Sequence, residues 1–134
     1  MTATKRIAKA GKGEHGLYIK RVYEPATGDD GLRVLVDRLW PRGLTKDKAH
    51  IDQRLKDVAP SDALRKRFHG NPMMWEEFVA AYGRELASEP AATALADLRA
   101  LVRKQPVTLL YAARDEDHNN AIALKGFLGR KKKA

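Results

Sequence analysis

A chain of 134 residues, 43% hydrophobic and 32% charged, has the make-up of one soluble globular domain and is long enough for a proper core. No run approaches the roughly 20 apolar residues of a membrane helix, and residues 1–13 lack the apolar segment of a secretory signal. The absence of cysteine excludes disulfides, thiolate catalysis and cysteine-ligated zinc, and fits a cytoplasmic location.

The formal charge of +9 is concentrated at the ends. Lys5, Arg6, Lys9 and Lys12 precede residue 14, and Arg130, Lys131, Lys132 and Lys133 follow Gly129, which leaves 14–129 at +1. The expectation is a folded domain over 14–129 between disordered basic tails, 1–13 and 130–134. Such tails attract polyanions weakly and with strong salt dependence.

In chain order, Leu17 to Tyr23 alternates as a strand, with Tyr18, Lys20 and Val22 on one face and Leu17, Ile19 and Arg21 on the other. A loop follows at Gly28-Asp29-Asp30-Gly31. A second strand is predicted at Arg33 to Asp37, and its apolar run Val34 to Val36 implies a sheet covered by helices. Pro41 cannot donate to a ladder, so that strand ends before it. Leu44 to Ala59 fits neither period cleanly; a short helix and another strand both suit it.

Four helical signals come next. Ser61 caps the first, with Leu64 and Phe68 on one face. Asn71-Pro72 caps the second, whose stripe Trp75, Phe78, Val79, Tyr82 and Leu86 reads as core packing. Pro90 opens the third, which carries Leu95, Leu98, Leu101 and Val102 inward. Val107 to Ala113 is the strongest strand pattern, and a fourth helix is predicted after Asp115 as N-cap, ending at Gly129. The fold expected is α/β: a compact single domain with a small, mostly parallel sheet flanked by helices.

Two polar clusters follow buried strands: Asp37-Arg38-Leu39-Trp40-Pro41-Arg42-Gly43 and Arg114-Asp115-Glu116-Asp117-His118-Asn119-Asn120. If the two strands are parallel neighbours, both clusters meet at one edge of the sheet, where ligands of α/β proteins bind.

Several motifs resemble the YeaO-like branch of the domain of unknown function 488 family. They are Tyr18-Ile19-Lys20-Arg21-Val22-Tyr23, the run from Asp30 to Gly43, Lys56-Asp57-x-Ala59-Pro60-Ser61, and the run from Thr108 to Ala121. The resemblance covers nearly all of residues 17–128 and implies a bacterial cytoplasmic α/β protein without implying an activity. Broader members carry a cysteine-containing segment where this chain has His118-Asn119-Asn120-Ala121, and YeaO-like relatives often carry tryptophan at the position of Arg54. Neither a winged-helix pattern nor a glycine-rich nucleotide loop is present to support regulator or methyltransferase labels.

Arg38 and Arg42, four apart around Trp40, suit a phosphate or carboxylate on a planar group; alternatively one arginine pairs with Asp37 or Asp115 and ties loop to sheet. His118 is the only plausible general acid or base in the two clusters, with Asn119 beside it, and a local structural role is equally open. Lys56, Arg114 and Asn120 are further candidates for ligand contacts. Asp115 suits a helix cap better than a catalytic acid, and Ser61 is explained as a cap. The histidines His15, His50, His69 and His118 show no metal spacing, and no cofactor is implied.

The leading expectation is a cleft for an anionic small molecule, which suits a small enzyme acting on a nucleotide or phosphorylated metabolite. The alternatives are a nucleic-acid-associated protein working through its tails and a protein-interaction module.

Overall fold

The computed structural model describes residues 16–68 and 71–129. The predicted tails, 1–13 and 130–134, lie outside the described residues, as do His15, His69 and Gly70. Four strands form one all-parallel sheet: β1 (Leu17–Arg21), β2 (Leu32–Leu35), β3 (Gln53–Arg54) and β4 (Val107–Tyr111), in the spatial order β1-β4-β2-β3. Five helices accompany them: α1 (Lys46–Ala49), α2 (Asp62–Phe68), α3 (Trp75–Leu86), α4 (Ala91–Lys104) and α5 (Asn120–Gly129). The expected α/β domain is therefore present, and the ambiguous segment resolves into both alternatives: the one-turn α1 and then β3.

The pleat sends alternate side chains to opposite faces. Leu17, Ile19, Val34, Val107, Leu109 and Tyr111 meet α2–α5 through Leu64, Tyr82, Leu98 and Leu124. Only this face carries the four longer helices. The reverse face is covered by the one-turn α1 and the chain on either side of it, so the run Val34 to Val36 is buried on both faces as expected. There Val22, Leu35 and Leu110 pack beside Trp40, Leu44 and Ile51. Beside them lies a buried ionic cluster: Asp30 accepts from Arg33 at 2.7 Å and from Lys20 at 3.1 Å. All three are at most 4% exposed. Arg33 also donates to the carbonyls of His50 and Ala49, and Lys20 to that of Pro25.

This cluster explains how the short 22–31 connection crosses behind β4. Thr108 Oγ1 donates to the Asp30 carbonyl at 2.7 Å, and the Leu32 amide donates to Pro106. Gly31 makes the crossing possible. Its φ is +66°, and a Cβ there would sit 2.3 Å from the Pro106 carbonyl oxygen.

The predicted caps behave unequally. Ser61 Oγ accepts from the Leu64 amide and Asn71 Oδ1 from that of Met73. Asp115 does not cap α5. It accepts from the Asp117 and His118 amides, closing a turn before the helix. Asn119 is the cap instead, its Oδ1 accepting from the Ile122 amide at 2.9 Å. His118 and Asn119 thus precede the helix rather than occupying its first turns.

Candidate functional site: a cleft at the carboxyl ends of two neighbouring strands

β2 and β4 are parallel neighbours, with Leu35 opposite Leu110. Their ends therefore deliver both polar clusters to one place, a cleft of about 560 Å³. The first cluster supplies Asp37, Arg38, Trp40 and Arg42; the second supplies His118, Asn119 and Asn120. Lys56 and Arg114 are exposed and are not among the residues that line it.

Each lining group is held by a specific contact. Arg38 donates to the Pro60 and Ala59 carbonyls, both at 3.3 Å, tying its loop to the segment before α2. Neither acid considered as an arginine partner has one: Asp37 takes the Ala112 amide at 2.9 Å, and Asp115 faces His118. The Arg42 guanidinium has no partner among the described residues; only its carbonyl is engaged, by the Tyr23 hydroxyl at 2.9 Å. Trp40 Nε1 donates to the Leu44 carbonyl at 2.7 Å. The Arg54 guanidinium lies 5.6 Å from the Trp40 ring centre and donates to the Arg38 carbonyl. Arg54 therefore covers Trp40 by cation–π stacking and holds the Arg38 backbone.

On the other side, His118 Nδ1 lies 3.1 Å from Asp115 Oδ2, and its ring meets Trp75 edge-on at 5.2 Å. An ionised carboxylate only accepts, so the pair favours the proton on Nδ1 and leaves Nε2 as the basic nitrogen. Three hydrogen bonds hold Asp115 ionised: the Asp117 amide first, then the His118 amide and ring, outweighing its burial and lowering its pKa. Asn119 is 5% exposed and committed at both ends of its amide, donating to the Asp115 carbonyl and capping α5. It fixes the loop that presents His118.

Asn120 donates to the Val36 carbonyl at 2.8 Å, bridging the two strand ends. Its amide also favours the ionised form of the nearby Asp37 carboxylate. Burial is the largest influence on Asp37 and raises its pKa; the Ala112 amide, Asn120 and the more distant Arg65 offset it only in part.

Several lining residues were not anticipated. Trp75 and Phe78 stack at 5.6 Å, Phe68 meets Phe78 edge-on at 5.9 Å, and all three line the cleft. The α3 stripe packs against the core along its length, fully buried at Tyr82 and Leu86, and its first turns, at Trp75 and Phe78, also form the cleft's aromatic wall. Helical periodicity marks an inward face and carries no sign of where the interior opens. Arg65, which pairs with Asp62 at 2.8 Å, Tyr23 and Asp37 also line the cleft. The signal for Asp37 was available, since it stands at the end of a buried strand. Among the described residues no group of histidines and acids could hold a metal ion, and no helix is long and apolar enough to cross a membrane.

A family model described as "Inactive DUF488-N3 subclade" matches residues 16–134. The chain belongs to the DUF488 family. It is 46% identical over 110 residues to the uncharacterized protein YeaO of Escherichia coli (strain K12), covering 81% of this chain and 93% of that one. It is 42% identical over 110 residues to the uncharacterized protein Rv3073c of Mycobacterium tuberculosis (strain ATCC 25618 / H37Rv), covering 82% and 91%. No solved structure matches it. The YeaO-like resemblance read from the motifs is thereby shown at the level of family.

Proposed function

We propose that this DUF488 protein is a binding protein for a planar organic anion, a ring that carries a phosphate or carboxylate, taken up in the cleft at the ends of β2 and β4. The observation that carries this reading is the composition of the cleft. Arg38, Arg42 and Arg65 share it with a wall of Phe68, Trp75 and Phe78. Among the described residues Asp37 is the only lining carboxylate, so guanidinium groups outnumber acids there. Guanidinium forks suit phosphate and carboxylate, and an aromatic wall suits a flat ring. The volume falls in the range of small-molecule sites. Binding is preferred over turnover because the matching family model bears the word inactive and because the amide of Asn119 is engaged at both ends.

The test is thermal unfolding of the full chain with phenyl phosphate and nucleoside monophosphates. A ligand at 100 times its Kd adds about 2.7 kcal/mol, or roughly 5 to 10 °C for a domain of this size. Arg42→Ala should abolish the shift. A shift that survives Arg42→Ala, or no shift from either probe class, overturns the reading.

The His118–Asp115 pair favours a second reading, in which the cleft hydrolyses such an anion and His118 Nε2 serves as base. It requires product release from a bound phosphate ester, lost in His118→Ala. Binding without product formation leaves the first reading standing.

A further inference from the structure

The floor of the cleft differs chemically from its rim. The rim offers Arg42 with no internal partner, whereas the floor offers acceptors. Asp37 Oδ2 takes the Ala112 amide, and among the described residues Asp37 has no ion pair within 4 Å. Asn120 has a settled orientation. The Val36 carbonyl can only accept, so the amide nitrogen faces it and Oδ1 is left as an acceptor. A carboxylate has about four lone-pair sites. The Ala112 amide serves one of them, and burial outweighs the donors that oppose it. The floor is thus short of hydrogen-bond donors, and a ligand that brings them relieves that shortage.

We infer that Asp37, with Asn120 beside it, is the specificity-determining acceptor for the ring of the bound anion. The ligand class is then a nitrogen heterocycle that presents adjacent ring N–H and amino donors to the floor and its anionic group to Arg42. The inference rests on the cleft being an anion site and narrows its ligand. Among nucleobases, guanine presents two such donors on one edge, hypoxanthine one, and adenine an amino donor beside a ring acceptor that a carboxylate repels. An aromatic wall alone would not rank these rings, since stacking is tolerant of base identity.

The experiment is calorimetric titration of the full chain with GMP, IMP, AMP and phenyl phosphate. The order expected is GMP, then IMP, then AMP, with at least about tenfold between the first and last, as for one charge-assisted hydrogen bond. Asp37→Asn should shrink that ratio to within about threefold, while phenyl phosphate, which brings no donor to the floor, still binds and binds more tightly once the neighbouring negative charge is gone, which shows the variant is folded and its anion end intact. GMP and AMP binding equally in the wild type, or a ratio unchanged by Asp37→Asn, overturns the inference and leaves the anion site standing if phenyl phosphate still binds through Arg42. Failure of all four probes overturns both.

Discussion

Two aspartates flank β2, and their surroundings are opposite. Asp30, just before the strand, is 1% exposed and grips Lys20 and Arg33 behind the sheet. Burial would raise its pKa, but the Thr27 amide and the Arg33, Thr27 and Lys20 side chains together lower it. Asp37, just after the strand, takes the Ala112 amide and, among the described residues, has no cation in contact, and burial keeps its pKa raised. One acid is satisfied by the fold, while the other is left for something outside it. The ionic cluster that the eye first takes for a site is therefore a clasp, since Arg33 and Lys20 spend their remaining donors on His50, Ala49 and Pro25 carbonyls. Buried charges with every partner internal point to structure. A half-served acid in a cleft points to function.

The comparison breaks most readily at Asp30. Asp30→Ala strands two buried cations and should cost about 3 to 5 kcal/mol, read as a lower urea midpoint with unchanged slope. Retention of stability would mean the cluster is not what secures the crossing. Asn119→Ala should cost about 1 to 2 kcal/mol through loss of the α5 cap. It should also weaken any His118-dependent property by loosening the loop.

The two acids should also part company with pH. Asp30 has a lowered folded pKa, so its contribution is present above the ordinary value of 3.8 and is lost as pH falls through the folded value. Asp37 has a raised folded pKa, so the native state holds its proton more tightly than the unfolded chain does. Its contribution is full below 3.8 and is lost as pH rises through the folded value. Asp37→Asn should therefore match the wild type in acid and be the more stable of the two at neutral pH. Denaturation at pH 3.5 and 7.5 distinguishes this from a loss at both, which would make Asp37 a structural acid like Asp30. The smallest effect on stability is expected at Arg42. Arg42→Ala should stay within about 0.5 kcal/mol of the wild type while losing anion binding; a larger loss would reveal a structural role for the guanidinium.

Much of the fold was legible in local pattern. The buried runs Val34 to Val36 and Val107 to Tyr111 became neighbouring strands, and Ser61 and Asn71 became caps. The polar residues after each strand were legible as a site because a strand end delivers whatever follows it to the sheet edge. Asn119 takes the cap expected of Asp115 because both are good cap residues four apart, and only the path of the turn decides which one faces the first free amides of α5.

Local pattern along the chain was enough for β1, β2, β4 and α2–α5, for the family and for the near neutrality of residues 14–129 beside two basic ends, while α1 and β3 stayed open. What each charge answers to was settled by the fold alone. Lys20, Asp30 and Arg33 look no different in the sequence from Arg38, Asp37 and Arg42. Yet the insertion of β4 between β1 and β2 folds the first three against one another and leaves Asp37 and Arg42 beside open space. Strand order is set by contacts far apart in the chain, and the partner of a charge is set by strand order.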